Sequence, residues 1–131
     1  MNPDELENLI RSRRSSLLLD AEKQVTNDLL QRITDAAQFA PNHRRTWPLR
    51  VAAVTGASRS VLGDTIADAM AMFGDDEAKV TKARTKYLRS PVVLVVASAQ
   101  GSSENETEEN KYAVAAGIQN MLLMAHSLGL A

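Results

Sequence analysis

The sequence predicts a mixed α+β chain, with helices gathered around a small sheet, and three observations carry that expectation. Four segments repeat their apolar residues at three- and four-residue steps, the period of a helix packed on one side, and a fifth is apolar almost all round. Two short valine-rich runs, "LRVAAVTG" and "PVVLVVAS", have the composition of strands. With 131 residues, 44% apolar and 24% charged, the chain has ordinary globular usage and enough length for one core. One domain over residues 1–131 is expected.

The elements follow in order. Asp4 to Ser12 sets Leu6, Leu9 and Ile10 on one side and acids in its first turn, as a helix start favours. Asn27 to Ala40 steps through Leu29, Ile33, Ala36, Ala37 and Ala40, with Thr26 as N-cap and Pro41 as stop. "LRVAAVTG" sets Leu49, Val51 and Ala53 against Arg50 and Ala52 and ends at Gly56. Ser58 to Phe73 is helical through Leu62, Ile66, Ala69, Met70 and Phe73. Glu77 to Arg89 has a narrow stripe of Val80, Ala83 and Tyr87 among many cations. Pro91 opens "PVVLVVAS", an unbroken apolar run of the kind buried on both faces of a sheet.

Residues 99–108, within "AQGSSENETEEN", are expected to form an exposed acidic loop. Lys111 to Leu128 is apolar almost all round, broken by Gln119, Asn120 and His126. A membrane span needs about 20 uninterrupted apolar residues, and this run is shorter and interrupted. It lacks the polar face of an exposed helix, so it predicts a central helix packed on several sides, closed by Gly129. Two strands alone make a marginal sheet. The rest of the fold is expected from further chain or from a second copy.

Several function classes are disfavoured. A net charge of −1 does not suit a chain whose main business is a nucleic-acid backbone or an anionic membrane, so neither is expected as a partner. Cysteine is absent, which excludes disulfides, thiol catalysis and zinc–thiolate sites and fits a reducing cytoplasm. "MNPDELENLI" has no apolar h-region, so no signal peptide is expected. The two histidines are far apart without ligand-spaced carboxylates, and no metal site is expected. No nucleophile–base pairing and no Walker or Rossmann glycine pattern stands out, and no catalytic side chain is assigned.

Chemistry concentrates in two places. "RSRRSS" groups Arg11, Ser12, Arg13, Arg14, Ser15 and Ser16, guanidinium forks and hydroxyls suited to a phosphomonoester. The bland alternative is a solvated basic helix end facing the helix dipole. "APNHRRTWP", Ala40 to Pro48, places His43, Arg44, Arg45 and the single tryptophan, Trp47, between two prolines. Charge and stacking there could hold an anionic planar ligand. Against this stands a loop anchored by a buried Trp47 with its arginines in water.

"LIRSRRSS", then "AAQFAPNHRRTWPLRVAAVTG", then "SPVVLVVAS", then "ENKYAVAAGIQNMLLMAHSLGLA", taken in this order, resembles the FMN-dependent nitroreductase family. The last piece is the most specific: Glu109, a small-residue stretch from Ala113 to Gly117, then Gln119, Asn120, Leu122, Leu123, Ala125, His126, Gly129 and Leu130. His43 two residues after Pro41, and "ARTKYLRSPVVLVV", resemble the small, minimal branch of that family.

The resemblance implies a nitroreductase-like α/β sandwich built as an intertwined homodimer, with FMN at the subunit interface. Arg13, Arg14 and Ser15 of one chain would hold the phosphate and ribityl. Pro41, Asn42 and His43 of the other would approach the flavin, with Arg44 and Arg45 less firmly matched. NADH or NADPH would be the donor, and a nitroaromatic, quinone or similar small molecule the acceptor. Three departures stand out: Leu17 and Leu18 replace a further basic residue, Trp47 a glutamine, and Leu49 an aromatic. The family also continues well beyond this central helix, so an incomplete C-terminal part is expected. The competing reading is a non-catalytic dimerisation or interaction module with weak or no flavin binding.

Overall fold

The computed structural model describes residues 2–131, which form five α-helices, three short 3-10 turns and a two-stranded antiparallel sheet. Two compact units divide the chain, and the strands β1 (Leu49–Thr55) and β2 (Val92–Ser98) contribute residues to each.

The first unit takes residues up to Leu17, Thr26–Val51 and Val96–Ala131. Its helix α1 (Pro3–Ser12) starts with a reciprocal cap: Asn2 Oδ1 accepts from the Glu5 amide at 2.8 Å, and Glu5 Oε2 accepts from the Asn2 amide at 2.9 Å. Pro3 fits the first turn, where no amide partner is needed. No residue of α1 is fully buried. Helix α2 (Asn27–Ala36) begins at the expected cap, Thr26 Oγ1 accepting from the Leu29 amide at 3.3 Å. Its last turn, Ala37–Phe39, tightens to 3-10 geometry instead of running as α-helix to Ala40. Ala40 is extended, the conformation favoured by a residue that precedes proline.

Helix α5 (Glu104–Ser127) is the spine of this unit, and it corrects the expected loop over residues 99–108. Ser103 Oγ accepts from the Glu106 amide at 3.2 Å, and the following acids lie at the positive end of the helix dipole. The acidic stretch is exposed from Ser102 to Asn105, but from Glu104 onward it is helix. At the other end Gly129, with φ 74°, closes a Schellman motif: Leu130 N–H bonds Ala125 O at 2.9 Å and Gly129 N–H bonds His126 O at 3.0 Å.

α5 packs against α2 and the 3-10 turn after it. Gly117 allows the approach, since a Cβ there would lie 3.3 Å from the Ala37 carbonyl oxygen and Cβ. Asn120 Nδ2 donates to Ala36 O at 3.2 Å across the same seam. Asn110, Ala113, Val114, Gly117 and Met121 are buried. The opposite stripe, Tyr112, Ala115, Gln119 and Leu122, is exposed. The helix is therefore covered on more than one side but not all round: α2 and its 3-10 turn lie on the buried face, and α1 reaches His126, which continues the line of Tyr112, Gln119 and Leu122.

The second unit takes Leu18–Val25 and Ala52–Val95. Helices α3 (Ser58–Met72) and α4 (Glu77–Lys86) form a tight pair turned at Gly74, φ 80°. Asp76 caps α4 by accepting from the Ala78 and Lys79 amides at 3.1 and 3.2 Å. Ala67 and Ala83 are buried at the contact. Arg84 bonds Asp68 at 2.8 Å and Asp64 at 3.1 Å, and these carboxylates, Asp68 first, raise its pKa.

β2 forms as expected but is not buried on both faces. Its residues are half-buried or exposed, with Val95 at 42%.

Candidate functional site

The basic cluster begins where α1 ends, and its members have different partners. Arg11 pairs with Glu7 at 2.6 Å on the exposed side of the helix. Ser12 Oγ lies 3.3 Å from Leu9 O and 2.9 Å from His126 Nε2 of α5. Arg13 is partly buried and leaves the helix with φ −58° and ψ 129°, so the chain turns away at that residue. Arg14 is exposed, and its Nη1 bonds Arg11 O as well as Arg13 O, the latter at 2.8 Å. Part of this guanidinium thus caps its own helix, as the bland alternative holds. A guanidinium has five N–H donors, and Nη1 carries only two of them. Ser15 is exposed beside it.

The loop from Pro41 to Pro48 carries unusual backbone. Arg44, Arg45 and Trp47 all have positive φ, at 58°, 54° and 49°. Each such non-glycine residue costs about 1–3 kcal/mol and persists only where its surroundings fix it. Buried Asn110 supplies much of that fixing. Thr46 Oγ1 lies 2.6 Å from Asn110 Oδ1 and 3.0 Å from Asn42 Oδ1, its one proton serving either acceptor. Asn110 Nδ2 donates to Ala99 O at 3.2 Å. Arg50 Nη1 donates to Trp47 O at 2.7 Å and to Leu49 O at 2.9 Å. Trp47 itself is 54% exposed, so it does not anchor the loop in the core; Pro48 and Asn110 are the buried residues there.

Asn42 and Trp47 line a cavity of about 400 Å³, together with Arg50 and with Gln31, Asp35 and Gln38 of the α2 segment. Pro41 and His43 are exposed at the loop surface.

Replacing Asn110 with alanine is expected to cost about 1–1.5 kcal/mol, the net value of its lost hydrogen bonds once water reaches the Ala99 carbonyl. The loss should also loosen the loop. Urea unfolding of the variant measures the first effect, and faster proteolysis between Pro41 and Pro48 the second. Unchanged stability would show that Asn110 does not hold the strained turn.

The start of α5 is an electrostatic neighbour of this loop. Glu106 Oε2 accepts from the Ser102 amide at 2.6 Å and from the Ser102 hydroxyl. These bonds, the hydroxyl first, and then the charge of Arg44 hold its carboxyl below the usual 4.5. A carboxyl depressed by folding stabilises the fold above its unfolded pKa, and that contribution is lost as pH falls through the lower folded value. Glu106→Gln should therefore be less stable than wild type at neutral pH, the gap closing well below pH 4.5. Thermal melts across that range check this; a gap independent of pH would show that the carboxylate charge is irrelevant.

The two clusters are not brought together within one chain. Ser12 is tied to His126, and Thr46 to Asn110, so each cluster sits against its own end of α5. The two anchors are 16 positions apart, roughly 24 Å at the α-helical rise. Sequence reasoning missed Asn110, Thr46, Glu106 and the role of His126 as an anchor. Asn110 left one usable trace: it falls in helical register with Ala113, Val114, Gly117 and Met121, so a polar residue stood on a buried face.

Among the described residues, no helix is long and apolar enough to cross a membrane, and no group of three His, Cys, Asp or Glu could hold a metal ion. The model of the nitroreductase family matches residues 10–131. YdjA of Escherichia coli (strain K12), provisionally named an NAD(P)H nitroreductase, is 28% identical over 127 residues, covering 96% of this chain and 68% of that one. A nitroreductase-like family protein from Bacillus cereus has a similar structure, with TM-score 0.77 and 28% identity over 95% of this chain. This chain spans 65% of its length. A nitroreductase with bound FMN from Bacteroides fragilis gives TM-score 0.76 and 26% identity, covering 98% of this chain and 67% of that one.

Proposed function

The chain belongs to the nitroreductase family, and from that premise we propose an FMN-dependent oxidoreductase, shared between two copies, that moves electrons from NADH or NADPH to a nitroaromatic, quinone or similar acceptor. The bound FMN of the Bacteroides fragilis relative and the name of the Escherichia coli protein support the cofactor and the donor. FMN, when bound, supplies the hydride and electron chemistry, and the protein supplies grip, orientation and exclusion of water.

The residues present fit that cofactor. Arg13, Arg14 and Ser15 offer forked cationic donors and a hydroxyl, the chemistry that binds a phosphomonoester. Pro41, Asn42 and His43 form a loop edge whose conformation is set by the Thr46–Asn110 contact. They would lie against the planar ring system, with Asn42 able to hydrogen-bond it. No side chain is needed as a general acid or base for this role.

One observation carries the shared arrangement. The phosphate-type cluster and the loop are anchored toward opposite ends of α5, at His126 and Asn110, which are roughly 24 Å apart along the helix, an arrangement that favours one flavin held by two chains. A second copy running antiparallel along α5 would set the Arg13 end of one chain against the Pro41 end of the other. The exposed stripe of Tyr112, Ala115, Gln119 and Leu122, at three- and four-residue spacing, supports α5 as the surface that pairs.

The expected result is a dimeric yellow protein that retains FMN and oxidises NADH or NADPH when a nitroaromatic is added. Light scattering with absorbance at flavin wavelengths tests both halves together. A stable, well-folded monomer at micromolar concentration removes the shared site. A colourless dimer that does not take up added FMN favours the non-catalytic module.

A further inference from the structure

We propose that His126 is the positioning residue of the phosphate cluster, holding Ser12 so that Arg13, Arg14 and Ser15 leave α1 in a fixed direction. This rests on the reading of Arg13–Ser15 as the FMN phosphate site and adds the residue that presents it.

Helix α1 carries the cluster at its end, yet none of its residues is fully buried. Leu6 and Ile10, two of its three large apolar side chains, are 45% and 50% exposed. Apolar packing alone therefore holds α1 loosely against α5. A polar tie between α1 and α5 falls at the last helical residue, where Ser12 Oγ meets His126 Nε2 at 2.9 Å across 114 positions of sequence. The next residue, Arg13, is where the backbone turns out of the helix. A restraint at Ser12 thus sets the origin and direction of the three residues that follow it.

Either partner donates, according to the ring tautomer: a bare Nε2 accepts the Ser12 proton, and a protonated Nε2 gives one to Ser12 Oγ. In the second arrangement the single proton of the Ser12 hydroxyl goes to the Leu9 carbonyl at 3.3 Å. Ser12 Oγ is then the acceptor for an N–H on His126 Nε2. The Nε2–H tautomer and the imidazolium both provide that donor, so the tie does not require a charged ring. His126 is itself well placed to act as a fixed point. It lies in the last turn of α5, where its own carbonyl is bonded by Gly129 N–H at 3.0 Å within the Schellman motif.

The test measures binding of FMN and of riboflavin, which lacks the phosphate, by fluorescence titration. Wild type is compared with His126→Leu, His126→Gln, Ser12→Ala and the His126→Leu/Ser12→Ala pair. His126→Leu should weaken FMN binding roughly three- to tenfold, the span of one net hydrogen bond, with riboflavin affinity unchanged. His126→Gln, which keeps an N–H donor, should restore most of the loss. Ser12→Ala should match His126→Leu, and the double variant should be no weaker, since both remove the same contact. Equal FMN affinity in wild type and His126→Leu, or equal loss for both flavins, overturns the inference while leaving the FMN reading intact. A wild-type protein that binds neither flavin overturns the FMN reading and this inference with it.

Discussion

Replacing Arg13 with alanine is expected to weaken FMN binding by about 1.5–3 kcal/mol, roughly ten- to more than a hundredfold, the range of a charge-assisted hydrogen bond. Arg13 should be the more sensitive of the two arginines. It is partly buried at the point where α1 ends, so its stem is already restrained before any ligand arrives. Arg14 is fully on the surface, and its Nη1 is engaged with the carbonyls of Arg11 and Arg13. Binding through Arg14 must share or replace those bonds, which lowers its net return. Arg13→Lys should fall between wild type and alanine, because it keeps the charge and loses the fork. Raising the salt concentration should narrow all these differences. Stability should hardly change, since neither side chain belongs to the core. Fluorescence titration with FMN gives the affinities, and chemical unfolding gives the control. Equal affinity in wild type and Arg13→Ala would remove this residue from the site.

The elements that could be read in the sequence are those whose signal is local. Thr26 before an apolar period, Pro41 after it, and Gly129 behind a long apolar run each act on amides within a few positions, so helix limits were visible. The acidic stretch failed for a related reason. Its composition suggests a loop, whereas the Ser103 cap and the Glu106 bonds to Ser102 make it the first turn of α5. Composition averages over residues, and a cap depends on one hydroxyl in one place. Burial was harder to read, because it depends on what lies opposite. β2 has the valines of a doubly covered strand, but only β1 pairs with it, and Val95 is 42% exposed. α5 has apolar residues all round, and its neighbours leave the stripe from Tyr112 to Leu122 exposed.

The candidate site shows the same limit at longer range. "RSRRSS" and "APNHRRTWP" could each be marked by their donors alone. Their separation along α5 could not, since it follows from two contacts, Ser12 with His126 and Thr46 with Asn110, spanning 114 and 64 positions. Nor does a sequence pattern signal three positive-φ residues without a glycine. An indole is usually buried, which makes Trp47 a candidate core anchor. In the fold Pro48 is buried next to it and the indole stays half in water, where a ligand or second chain can reach it.

Gly63→Ala should destabilise the second unit by about 2 kcal/mol, although helix propensity alone predicts the opposite sign. Gly63 lies inside α3, and an exposed helical glycine changed to alanine gains about 1 kcal/mol. Here the added Cβ would lie 2.3 Å from the Arg84 carbonyl oxygen and 3.0 Å from its carbon, well inside contact distance. The obstacle is backbone of α4, which cannot rotate away as a side chain can. Relief therefore requires the two helices to separate. That movement would also disturb the Arg84 bonds to Asp64 and Asp68 and the burial of Ala67 and Ala83. Overpacking of this kind costs about 1–3 kcal/mol, and a clash this deep belongs at the upper end. An upper-end cost of about 3 kcal/mol set against about 1 gained from propensity leaves the expected net loss. Gly74→Ala offers a contrast in the same unit: its Cβ would meet nothing within 4 Å, but the residue sits at φ 80°. Its cost, about 1 kcal/mol, should come from the backbone conformation alone. Urea unfolding followed by near-ultraviolet dichroism of Tyr87, in the turn that follows α4, separates the two cases. Gly63→Ala should change the folded signal as well as the midpoint, whereas Gly74→Ala should shift only the midpoint. A Gly63→Ala protein as stable as wild type would mean that α3 and α4 do not pack this closely in solution.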